Sequence, residues 1–136
     1  MIYLDSAAIV KLIRREAETG ALETWLAAQP DSRELVASSL VLTEVPRALR
    51  RADPGRLKAV PTVLARIDRV PLDDTVLATA AAYLDPMLRT LDAIHLASAE
   101  TLVIEGLELT AFVTYDKRLL SAANAVGLAT AAPGAN

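Results

Sequence analysis

The chain has 136 residues, 53% of them hydrophobic, enough for one domain with a substantial core. It contains no cysteine, which excludes disulfides, zinc–thiolate sites and thiol nucleophiles; a reducing cytoplasm is the expected location. The net charge of −3 argues against a non-specific nucleic-acid coat, and no apolar run approaches the roughly 20 residues that span a bilayer.

Met1 to Leu4 reads as a short buried strand, and the absence of a basic stretch ahead of it argues against a signal peptide. A helix is expected from about Ser6 to Arg15 and a second from Glu18 to Ala28, broken by Pro30-Asp31-Ser32. Trp25, at helical spacing from Leu22, reads as core or interface. Leu35-Val36-Ala37 is the next strand, with Ser38 or Ser39 available to cap the helix that runs to about Arg51. Ala52-Asp53-Pro54-Gly55 is turn chemistry. From Arg56 to Asp68 the spacing of Leu57, Val60, Leu64 and Ile67 predicts a helix, kinked or restarted at Pro61. Val70-Pro71-Leu72 is at best a short strand, since proline cannot donate to a ladder. Asp73 and Asp74 cap a helix to about Leu84, and Asp85-Pro86 opens a loop. Asp92 opens a helix to about Ile104, which Gly106 ends. Leu109 to Thr114 is a strand, Lys117 to Ala125 a helix and Gly127 to Ala131 a last strand.

Strands alternating with helices imply an α/β domain with a central parallel sheet flanked by helices, and ligands beyond the strand C-termini. Four acids stand out against this frame: Asp5, Glu44, Asp92 and Asp116, each set in an apolar run at a strand end or helix start. Asp5 and Asp116 end strands that feed helices, and Asp92 falls at a helix start, where the dipole favours negative charge. By helical phase Leu40, Glu44, Arg47 and Arg51 share one face, while Leu42, Val45 and Leu49 point to the core. Pro46 either begins this helix or bends it.

Each acid alone has a plainer explanation. Asp5, Asp92 and Asp116 could be helix N-caps, and Glu44 could pair with Arg47 or Arg51. One shared site accounts for all four together and is preferred. Converging carboxylates repel, so some stay protonated or a divalent cation neutralises them. Oxygen-only ligands suit Mg²⁺ or Mn²⁺ and point to phosphate chemistry. Five of the 14 basic residues fall between Arg47 and Lys58, beside Glu44; such a run is more often a solvated face than a nucleic-acid groove. His95, the only histidine, lies one turn beyond Asp92 and reads first as a packed, hydrogen-bonded residue, second as a ligand or base. No glycine-rich phosphate loop, GxSxG elbow or HExxH is present, and Ala7 stands where an aspartate phosphatase needs a second acid.

Four blocks carry a family resemblance: Tyr3-Leu4-Asp5-Ser6-Ala7-Ala8-Ile9-Val10-Lys11-Leu12, Ser38 through Leu49 around Glu44, Leu91-Asp92-Ala93-Ile94-His95-Leu96-Ala97-Ser98-Ala99, and Thr114-Tyr115-Asp116-Lys117-Arg118-Leu119. In this order and spacing the chain resembles PIN-domain ribonucleases, specifically VapC toxins of VapBC toxin–antitoxin modules. The resemblance implies a single PIN domain over residues 1–136, a three-layer sandwich and a Mg²⁺- or Mn²⁺-dependent endoribonuclease. Asp5, Glu44, Asp92 and Asp116 would be its catalytic acids, with Asp5, Asp92 and Asp116 as metal ligands and Glu44 more peripheral. Ser6 would hydrogen-bond a ligand carboxylate, and Arg47 would hold an RNA phosphate. A VapB-type antitoxin, a homodimer and contact with promoter DNA only through the antitoxin are the expected partnerships, with no membrane. The rival expectation is a non-catalytic PIN-like module acting through an antitoxin in a DNA-bound autoregulatory complex.

Overall fold

Side-chain alternation along β1 (Ile2–Leu4) divides the protein into two cores. Ile2 and Leu4 enter one with Ile9, Leu22, Val45 and Leu49; Tyr3 enters the other with Phe112, Leu96 and Leu119. A strand buried on both faces needs helices above and below, and the chain supplies them. The computed structural model describes residues 1–135; Asn136, the last residue of the expected domain, lies outside the described residues.

The elements follow in the order α1 (Ser6–Ile13), α2 (Thr19–Ala27), β2 (Leu35–Ser38), α3 (Val41–Ala52), a 3₁₀ stretch (Pro54–Ala59), α4 (Val60–Leu64) and β3 (Ile67–Val70). Then come α5 (Asp74–Ala81), α6 (Thr90–Ile104), β4 (Ala111–Val113), α7 (Lys117–Ala125) and β5 (Thr130–Ala131). All five strands pair in parallel, in the order β3-β2-β1-β4-β5. The first core is filled from α1 to α4 and the second from α5 to α7, giving the expected three layers. The chain winds outward from β1 through β2 to β3, then returns to place β4 on the other side of β1. Strand order therefore reverses between β1 and β4, and a crevice opens beyond their C-terminal ends.

Several sequence expectations are corrected. The helix expected over Arg56 to Asp68 is a 3₁₀ stretch and a short helix, and Ile67 belongs to strand β3. Ile67 pairs with Leu35 and Val70 with Ser38, so the sheet takes the apolar residues that continued the helical spacing. Pro71 lies just past this strand and leaves the ladder intact. Ser38 Oγ accepts from the Leu40 amide at 3.1 Å in the turn ahead of α3, not from an amide of the helix. Pro46 sits inside α3, which excludes the first helical position of the two placements expected for it. Leu42, expected in the core, is 49% exposed. It is the second residue of α3, whose buried face runs through Val41, Val45 and Leu49. Trp25 packs against the first core, half-buried. Among the described residues no helix is long and apolar enough to cross a membrane.

Candidate active site

The first acid is positioned by the end of a strand. β1 runs out at Leu4, and Asp5 becomes the N-cap of α1, its Oδ1 accepting from the Ala8 amide at 2.9 Å. Its other oxygen accepts from the Thr114 hydroxyl at 2.6 Å, so one oxygen is oriented by the first turn of α1 and the other from the end of the adjacent strand β4. Asp5 is 6% exposed, and burial pushes its carboxyl above the ordinary range despite the bonds from Thr114 and Ala8.

Asp116 repeats the device on the neighbouring strand. It caps α7, with Oδ1 accepting from the Arg118 and Leu119 amides, both at 2.9 Å. Capping and membership of the shared cleft, set against each other in the sequence, coexist in both residues.

Asp92 is the third residue of α6, in the first turn, and half-buried. Among the described residues nothing hydrogen-bonds its carboxylate. Burial first, then the charge of Asp116, raises its carboxyl above the ordinary value. Glu44 comes from α3 on the opposite face of the sheet. Its Oε1 accepts from Ser6 Oγ at 2.6 Å and from His95 Nε2 at 2.7 Å. Burial would raise this carboxyl too, but the bonds from His95 and Ser6 outweigh it and leave Glu44 below its ordinary value.

Asp5, Ser6, Glu44, Asp92, His95 and Asp116 thus line one cleft of about 420 Å³ at the crevice between β1 and β4. Arg51 and Arg89 line it as well and form no ion pair among the described residues. Arg47, the expected phosphate contact, is exposed and is not part of the lining. On the wheel Arg51 lies about 20° from Glu44 and Arg47 about 60°, on the side away from the core, so the later arginine reaches the cleft. The roles of Thr114, Arg89 and Tyr3 were not anticipated. The signal for Thr114 was its place between a strand end and Asp116.

No three acidic or histidine side chains among the described residues stand close enough to enclose a bare ion. The donor set nevertheless fits a hydrated hard cation. Mg²⁺ keeps several waters and is commonly held by one or two carboxylates, not by an all-protein cage. One buried and one half-buried carboxyl, both with raised proton affinity and neither bonded to a cationic side chain among the described residues, are what such an ion would neutralise.

One consequence concerns pH. Asp5 and Asp92 hold protons more tightly folded than unfolded, so with chelator present their contribution to stability falls as pH rises above about 4 through their raised values. Glu44 acts oppositely: its contribution is present above its unfolded value and is lost as pH falls through the lower folded one. Urea midpoints between about pH 3 and pH 7 for the parent and Asp92→Asn isolate one of these terms. The advantage of the variant over the parent is expected to grow with pH; a constant difference would contradict the assignment.

The fold, the reversal of strand order and the carboxylates beyond it define a PIN domain. The chain belongs to the PIN-domain family, which it matches over residues 2–125. It is 52% identical over 136 residues to Ribonuclease VapC35 of Mycobacterium tuberculosis (strain CDC 1551 / Oshkosh), covering 98% of each chain. Ribonuclease VapC47 of the same strain is 44% identical over 137 residues, covering 99% of this chain and 98% of that one. Within the family this is a VapC-type protein. The crystal structure of Mycobacterium tuberculosis VapC20, a sarcin-ricin loop cleaving toxin, matches with a TM-score of 0.72 at 16% identity, over 98% of this chain and 100% of that one. At that identity the likeness speaks for the fold alone.

Proposed function

We propose that this protein is a divalent-metal-dependent endoribonuclease that hydrolyses RNA phosphodiester bonds as the toxin of a toxin–antitoxin pair. One observation carries the reading: four carboxylates from separate elements of the chain line a single cleft, together with two arginines that form no ion pair among the described residues. The near-full-length identity to two VapC ribonucleases supports the same conclusion.

Asp5, Asp92 and Asp116 would hold Mg²⁺ or Mn²⁺, directly or through water. When bound, the ion would supply activation of a water nucleophile and neutralise charge on the phosphate and leaving oxygen. The chain contributes orientation and binding. Asp5 is locked by Ala8 and Thr114, and Asp116 by its helix amides. Glu44 is kept ionised by Ser6 and His95. The guanidiniums of Arg51 and Arg89 would grip phosphates on either side of the scissile bond, attracting an anionic strand to an otherwise acidic cleft. The expected partners are a VapB-type antitoxin, a second copy of the chain and, through the antitoxin, promoter DNA; the site of action is the cytoplasm.

Mapping new RNA 5′ ends after induction, with an Asp5→Ala control, tests this reading. Discrete ends absent from the control are expected; identical end maps would refute it. Replacing Arg51 and Arg89 together by Ala is expected to raise KM about tenfold with little change in kcat. It should also flatten the salt dependence of binding by about 1.4 units of slope, from two lost phosphate contacts on a single strand. Oligonucleotide kinetics across a salt series check both, and an unchanged KM would remove the arginines from the substrate site.

A further inference from the structure

We propose that His95 is a positioning residue: braced by Tyr3, it fixes the Glu44 carboxylate so that one oxygen is engaged by the protein and the other is left for the cleft. This rests on reading the cleft as an RNA-hydrolysing site. Asp5 and Asp116 are aimed by backbone amides because each caps its own helix. Glu44 has no such help. It projects from α3 on a long side chain whose rotamer freedom must be given up to hold the carboxylate in place. Two donors converge on its Oε1, Ser6 Oγ at 2.6 Å and His95 Nε2 at 2.7 Å. Among the described residues Oε2 has no partner.

The imidazole is itself held from behind. Nδ1 lies 2.7 Å from the Tyr3 hydroxyl, and the two rings meet edge to face at 5.9 Å. Tyr3 is fully buried, stacks on Phe112 at 4.9 Å and accepts from the Ser38 amide at 3.1 Å. That amide donates to the phenol oxygen, so the single phenol proton is free to go to Nδ1. Nε2 then carries the ring proton and donates it to Glu44. The run Ser38–Tyr3–His95–Glu44–Ser6 joins β2, β1, α6, α3 and α1. It therefore ties the helix that carries Asp92 to the helix that carries Glu44, across the sheet edge. A histidine serving only the core would be satisfied by Tyr3; the second ring nitrogen is aimed at an acid of the cleft.

The test is a set of variants, His95→Leu, His95→Gln and Tyr3→Phe, each made alone and on a Glu44→Ala background, with Asp5→Asn in parallel. His95→Leu is expected to lower kcat about 10- to 100-fold, the range seen when a partner of a metal-site carboxylate is removed, with KM within about twofold. His95→Gln, whose amide N–H replaces Nε2–H, should recover most of that loss. On the Glu44→Ala background, adding His95→Leu should change kcat by no more than about twofold, because its effect passes through a carboxylate already gone. Denaturation midpoints without metal should show the same non-additivity. A full additive loss on the Glu44→Ala background, an unchanged kcat in His95→Leu, or Gln performing no better than Leu would each overturn the proposal. If His95→Leu does not fold, Tyr3→Phe carries the cycle with the same expected sign and coupling. Should Asp5→Asn cleave like the parent, the nuclease reading fails; should it be inactive while His95→Leu cleaves normally, only the positioning role fails.

Discussion

Asp5→Asn is expected to abolish growth arrest and to cut RNA cleavage by about three orders of magnitude, the scale of removing a principal charge-stabilising group. Asparagine is the sharper replacement because Asp5 has two duties. Its Oδ1 caps α1 through the Ala8 amide, and losing that cap to alanine costs about 1 kcal/mol of stability. Asparagine keeps an acceptor for Ala8, and the Thr114 hydroxyl can rotate to accept from the new amide. The negative charge and a ligand oxygen are lost. The thermal midpoint of the metal-free variant should therefore match or exceed the parent's, since a carboxyl whose ionised form is disfavoured by burial has become neutral. Single-turnover cleavage at saturating Mg²⁺ or Mn²⁺ and a thermal melt in chelator separate the two duties. Full metal-dependent cleavage by Asp5→Asn would remove this residue from the reaction.

How much of this was legible in the sequence depends on where each signal resides. Asp5 and Asp116 were readable because an apolar run ending in an acid and entering a helix has few local meanings. Both meanings, cap and cleft, turned out to apply. Strand β3 was missed because Ile67 continues the spacing of Leu57, Val60 and Leu64, while Asp68 and Arg69 between its buried ends show no strand-like alternation. Only pairing with β2 distinguishes the two, and that is a tertiary fact. The wheel of α3 put Glu44 off the core side, as found, and Leu42 wrongly on it: the buried face runs through Val41, Val45 and Leu49 and leaves Leu42 in the first turn exposed. Arg47 and Arg51 share the Glu44 face of the wheel; the cleft takes Arg51, which lies closer to Glu44 in angle.

Tyr3 and His95 were the least legible. A lone histidine one turn after Asp92 gives its face but not its partners. A tyrosine two residues before Asp5 reads simply as a strand residue. Their link spans 92 positions and exists only because β1 lies beneath α6. Family resemblance tied the blocks together without giving the reason for His95; the hydrogen bonds supply one.

Asp92→Asn is expected to separate stability from activity. In the metal-free protein Asp92 is a half-buried acid facing the charge of Asp116, with no hydrogen bond to its carboxylate among the described residues. The first turn of α6 favours a negative charge there, by about 0.3–1 kcal/mol for an exposed group. The raised proton affinity says that burial and repulsion prevail over that help. Asparagine removes the repulsion and the cost of burying charge. The melting midpoint in chelator should rise by about 2–5 °C at neutral pH, corresponding to roughly 1 kcal/mol in a domain of this size. Cleavage should fall at least about a hundredfold, and the stabilisation that Mn²⁺ confers on the parent through binding the folded state should largely disappear. Differential scanning fluorimetry with and without Mn²⁺, beside the cleavage assay, reads all three. A lower midpoint in chelator would mean that the helix dipole outweighs the repulsion, and Asp92 would then be a structural residue of α6 that happens to face the cleft. A higher midpoint with activity lost means the folded chain keeps an unfavourable carboxylate for what that charge does once a cation arrives.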